Sequence, residues 1–163
     1  MIKKLTQLGV LAVAIGAVGA AAAAIIVWQA FVWLDASRAD DQRADALHTA
    51  EAQVVDLTSM DSDNVSQKLK ALGERLSGDF KRQFDGFSSA FADAVKEGRI
   101  AASGEIRGSA ITEYDDDSAK VIVASSAEVT AGKKQPVQRQ WRFLVTLDRS
   151  DDSWLISGME FVQ

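Results

Sequence analysis

The apolar positions of this chain fall into three successive patterns. From Leu8 to Leu34 every residue is apolar or glycine except Gln29. At a rise of about 1.5 Å per residue, that run exceeds the roughly 20 residues that cross a hydrocarbon core of about 30 Å, so residues 8–34 are expected to form a transmembrane helix. Trp28 and Trp33 near its end suit a headgroup layer, where an indole keeps its ring apolar and its N–H wet. A helical period follows. The polar stretch 35–60 has neither glycine nor proline, and Ala46, Leu47, Ala50, Val54 and Leu57 give it a modest apolar stripe, so it is expected to be a stalk helix that docks on a core without being buried. Val65, Leu69, Leu72 and Leu76 then recur at intervals of four, three and four, behind an expected N-cap at Asp61-Ser62-Asp63. Gly73 and Ser77-Gly78-Asp79 predict a break. Phe80, Phe84, Phe87, Phe91 and Val95 repeat the same spacing in a third helix that Gly98 closes.

Beyond Gly98 the period becomes two. Ile100 to Gly108, Ala119 to Val129, Trp141 to Leu147 and Trp154 to Val162 read as four strands, each with one apolar face. The short polar connections Asp115-Asp116-Asp117-Ser118 and Ser150-Asp151-Asp152-Ser153 join antiparallel neighbours, and the one proline, Pro136, lies in the longer connection from Ala131 to Val137. Helices followed by strands imply an α+β domain, its helices packed on a four-stranded antiparallel sheet. The expected division is an N-terminal flank 1–7, a transmembrane helix 8–34, a stalk 35–60 and a folded domain 61–163.

Charge sets the expected orientation. Of the 18 basic residues only Lys3 and Lys4 precede the apolar run, and all 23 acidic residues follow it. The positive-inside rule puts the N-terminus in the cytoplasm and the folded domain outside. A cleaved signal peptide is the competing reading, with Ala20-Ala21-Ala22 as the cleavage site, but it would leave Ile25, Ile26, Val27, Trp28 and Phe31 at a mature N-terminus. Gly16, Gly19, Ala20 and Ala23 supply small-xxx-small spacings through which this helix could pair with another.

The acidic balance beyond Leu34 disfavours nucleic acid, since no basic cluster is denser than Lys81-Arg82 or Lys133-Lys134. The chain has no cysteine, which excludes disulfides, thiolate metal sites and thiol nucleophiles. Its one histidine, His48, falls on the stalk and reads as surface. Asp115-Asp116-Asp117 lacks the glycine and distal glutamate of a calcium loop and reads as a solvated turn. Glu160 shares strand parity with Trp154 and Ile156, but a lone acid with no partner is placed at a rim. The phenylalanine stripe is expected to fill the core, with a ligand cavity as the alternative. Trp141 and Trp154 are expected to support the terminal hairpin. No catalytic, metal or cofactor-binding residue is assigned.

Certain segments, taken in order, carry a resemblance: Val55-Asp56-Leu57-Thr58, Ser77-Gly78-Asp79-Phe80, Gln140-Trp141-Arg142-Phe143-Leu144-Val145-Thr146-Leu147, Trp154-Leu155-Ile156-Ser157 and Met159-Glu160-Phe161-Val162. With the Lys-led anchor, the chain resembles the Mce-associated membrane proteins of actinobacteria. That resemblance implies a cystatin-like, nuclear-transport-factor-like cone, a fold shared with inner-membrane assembly proteins of type IV secretion systems. It also implies a non-enzymatic accessory subunit of an Mce-type lipid-import complex, with the subunits of that complex as partners. The alternatives are an assembly scaffold of a secretion or conjugation system and a small-ligand binder or enzyme of the cone fold. Asp151-Asp152-Ser153 departs from the family, where a glycine-containing turn is common, and no functional residue carries over by position.

Overall fold

The computed structural model describes residues 40–162. The expected transmembrane helix 8–34 and the pairing residues Gly16, Gly19, Ala20 and Ala23 lie outside them. Among the described residues no helix is long and apolar enough to cross a membrane. Arg43–Gln163 forms one compact unit.

Three helices pack on a four-stranded antiparallel sheet. The chain is helical over residues 40–58 (α1), then over Val65–Glu74 (α2) and Gly78–Glu97 (α3), and continues through β1 (Ile100–Tyr114), β2 (Ser118–Ala131), β3 (Val137–Ser150) and β4 (Ser153–Phe161). The strands lie in sequence order as a meander. Alternation places Ala119, Val121 and Val123 of β2 on the helix side with Phe143, Val145 and Leu147 of β3, all buried.

The segment expected to be an unburied stalk is part of this core. Ala46, Ala50 and Val54 are fully buried, because alanine at successive turns lets the α1 backbone approach the sheet closely. Contacts run in reverse order along β1: the Arg43 guanidinium lies over the Tyr114 ring at 4.9 Å, Ser109 Oγ donates to Glu51 Oε1, and Thr58 lies against Gly104. A Cβ on Gly104 would sit 2.7 Å from Thr58 Cβ, so this crossing requires glycine.

The two connections between helices cap the outer strands. Ser62 N donates to Ile100 O at 3.0 Å and Ala102 N to Met60 O at 2.8 Å, so the α1–α2 connection pairs with β1. At the opposite edge Ser77 N donates to Ile156 O and Ile156 N to Arg75 O, both at 2.9 Å. Each linker thus satisfies edge groups that would otherwise offer a pairing template and fixes the helical layer to the sheet.

Local details differ from the sequence expectation where backbone geometry intervenes. Asp61 does not cap α2 directly; its Oδ1 accepts from Asp63 N and Asn64 N at 2.8 and 2.9 Å, and Asn64 is the N-cap residue. Gly98 is the C-cap of α3, but the left-handed conformation falls on Arg99, at φ 47°. β1 runs well past Gly108, because irregularities at Arg107 and Thr112 each insert one residue and swap the inward parity, disguising the second half of the strand. A similar irregularity at Ser157 of β4 turns Met159 toward the core and leaves Glu160 exposed.

Candidate functional site

The α3 stripe does not fill the core as a whole. The buried line of α3 is Phe84, Ala92 and Val95, with Ser88 half-buried between them, and it faces α2, where Gly73 sits against the Phe84 ring. Phe87 and Phe91 flank that line at 48% and 38% exposure. They open a cleft of about 360 Å³ between the helices and the end of the sheet. Its walls come from Leu57 of α1, Leu72 of α2, Leu76 of the α2–α3 connection, the α3 phenylalanines, Phe143 of β3, and Met159 and Phe161 of β4. Phe161 stands at 72% exposure, its centroid 4.9 Å from that of the buried Phe143. Phe87 meets Phe84 edge-on at 5.3 Å.

One polar side chain lines this apolar cleft. Gln53 of α1 is 3% exposed; its Nε2 donates to Leu72 O at a long 3.5 Å, while its Oε1 is buried and accepts no hydrogen bond. The opposite amide orientation would set two acceptors against each other, so Leu72 fixes which end of the amide is which. A buried carbonyl without a donor costs about 1–3 kcal/mol. Sequence reading missed Gln53, although a signal was present: Ala46, Ala50, Gln53 and Leu57 follow the four, three, four spacing, and a glutamine holds a place that spacing reserves for an apolar residue.

The other candidates lie elsewhere. His48 is exposed, in a polar groove of about 470 Å³ with Asp45, Arg75 and Asp152. The Asp115 carboxylate accepts from Asp117 N at 3.1 Å, Ser118 N at 2.7 Å and Ser118 Oγ at 3.0 Å, so it is occupied by its own turn. Those bonds, led by the Asp117 backbone N–H, hold its pKa below the usual carboxylate value. Among the described residues no group of three His, Cys, Asp or Glu side chains could hold a metal ion. Trp154 is buried and Trp141 half-buried. The Val55-Asp56-Leu57-Thr58 segment is a joint: Asp56 pairs with Lys68 at 3.6 Å and Arg75 at 3.2 Å, Leu57 walls the cleft, and Thr58 Oγ1 donates to Val54 O at 2.7 Å.

Three solved structures share this fold, helices packed on a four-stranded antiparallel sheet. An IcmL-like type IV secretion system protein from Legionella pneumophila aligns with a TM-score of 0.62 at 11% identity, over 74% of this chain and 91% of that one. The periplasmic domain of DotI aligns with a TM-score of 0.61 at 16% identity, over 71% and 91%. A periplasmic fragment of TraM aligns with a TM-score of 0.61 at 11% identity, over 73% and 96%. At such identities the likeness establishes the fold. In sequence, the chain is 27% identical over 139 residues to the Mycobacterium tuberculosis protein Rv1363c, covering 84% of this chain. It spans 52% of that relative's length. Residues 5–163 match the family described as Uncharacterized protein Rv1363c/MT1408-like, and the chain belongs to that family.

Proposed function

From that membership and fold, we propose that this chain is a non-enzymatic, membrane-tethered assembly subunit of an envelope machine of the secretion or conjugation kind, its folded domain outside the cytoplasmic membrane and acting by protein contact. The observation that carries the reading is the likeness to three domains of secretion-type and periplasmic proteins, which covers 91–96% of each of them. The apolar run 8–34 behind Lys3 and Lys4 supplies the tether and its orientation. In the described domain α1 is built into the core rather than standing apart, a construction suited to holding a contact surface in a fixed pose.

A second reading, an accessory subunit of an Mce-type lipid-import complex, is favoured by the segment resemblance and by the apolar cleft. The two differ in partner. Pull-down of the tagged full-length chain from its native membrane in mild detergent, followed by mass spectrometry, separates them. Enrichment of secretion or conjugation components supports the first reading, enrichment of Mce subunits supports the second, and recovery of the chain alone counts against both.

A further inference from the structure

The cleft beneath Phe87, Phe91 and Phe161 combines three properties that together specify a ligand class. Its walls are apolar, and its volume of about 360 Å³ falls in the range of roughly 300–1,000 Å³ typical of small-molecule sites. None of its lining residues is charged, so an ionised headgroup entering it would lose hydration with no counter-charge in return. Its single polar side chain presents an orphan acceptor, the buried Oε1 of Gln53. We propose that the cleft binds an uncharged amphiphile: an aliphatic body ended by one O–H or N–H donor, which hydrogen-bonds to Gln53 Oε1.

The fit follows from the chemistry of the walls. Phe87, Phe91 and Phe161 hold exposed rings at the mouth, where they cover the ligand's apolar body once it enters. Met159 is an adaptable wall that accommodates chains of different shape. Gln53 sits deep, so the ligand enters donor first. With its Nε2 held on Leu72 O, the Gln53 amide leaves Oε1 as the atom that takes the ligand's donor. A docked protein surface would cover the three rings and leave the acceptor unpaired, whereas a slender molecule satisfies both. This proposal stands apart from the assembly reading, which is decided by the partners recovered from the membrane.

The test uses the full-length chain in phospholipid nanodiscs with three photoactivatable probes of equal length: a diazirine-bearing dodecanol, the matching alkane, and the matching carboxylate. Labelled residues are mapped by mass spectrometry at equal membrane concentrations of probe. The alcohol is expected to label Phe87, Phe91, Met159 and Phe161 about tenfold more than the alkane, the factor that one hydrogen bond of about 1.4 kcal/mol supplies, and more than the carboxylate. In Gln53→Leu the alcohol should fall to the alkane's yield while alkane labelling persists, which also reports that the variant is folded. Phe87→Asp, at an exposed position, should abolish labelling by all three. Equal labelling by alcohol and alkane in the native chain would overturn the proposal. So would an alcohol preference that survives Gln53→Leu, or labelling that avoids the cleft.

Discussion

The two ends of the helix–sheet interface are built from similar residues and finished differently. Toward the β1–β2 and β3–β4 turns the layer is closed: Val121, Val145, Leu147 and Ile156 are fully buried, α1 seats Ala46 and Ala50 there, and Tyr114 and Trp154 lie with centroids 6.0 Å apart. Toward the far end, where Phe143 meets Phe161, the helices and strands part and three phenylalanines stand open. Small residues on α1 make the first end close, because they allow backbone approach; large rings and one glutamine keep the second end apart. Apolar composition alone does not decide whether an interface is filled. What decides it is whether side-chain volume matches the distance the backbones can reach.

Truncation should expose this contrast most strongly. Leu147→Ala, at 0% exposure in the closed end, is expected to cost about 2–5 kcal/mol, and Phe161→Ala, at 72% exposure, less than about 1 kcal/mol, as measured by urea denaturation followed by circular dichroism. Similar costs for the two would erase the distinction. Next in size is the crossing of α1 over β1. Gly104→Ala drives its new methyl into Thr58 and should destabilise by about 1–3 kcal/mol, with partial recovery when Thr58→Ala is added; a double variant whose losses simply add would show that the two residues do not meet.

Two turns give smaller effects. Asp151 holds a left-handed conformation, at φ 54°, in the two-residue turn between β3 and β4, so Asp151→Gly should raise stability by up to about 1 kcal/mol; an unchanged or lowered denaturation midpoint would oppose that account. The smallest effect is that of Asp115. Its folded pKa is lowered, so the stabilisation from its turn bonds is present above the unfolded carboxylate pKa of about 3.9 and is lost as pH falls through the lowered folded value. A carboxyl titration followed by NMR should place its midpoint below the usual carboxylate value, and a midpoint at or above that value would contradict the turn geometry.

The contrast between the ends also explains what was legible in the sequence. The element order, the helix repeat from Val65 to Leu76 and the meander were readable, because apolar period and polar turns are local signals. The parity swaps at Arg107, Thr112 and Ser157 were not readable. An inserted residue breaks alternation without any distinctive residue type, which shortened the expected β1 and set Glu160 beside Trp154 and Ile156. The role of α1 was understated because alanine reads as weakly apolar, whereas in contact its small size is the asset. The phenylalanine stripe gave the right helix and the wrong extent of burial. Its period fits either face of the α3 line, and only the position of α2 against Phe84 and Ala92 leaves Phe87 and Phe91 outside. The stripe did carry a ligand cavity as its alternative reading, and Gln53 carried a second local signal of the cleft, as a polar residue in an apolar register.

The most direct test of a closed end and an open end within one core uses the chain's lack of native cysteine. Single substitutions Phe87→Cys, Phe161→Cys and Leu147→Cys in the purified full-length protein, reacted with a maleimide, should show fast modification at the first two positions. At the third, modification should wait on unfolding. Equal protection at all three positions would mean that the cleft is closed, and the contrast between the two ends would fall with it.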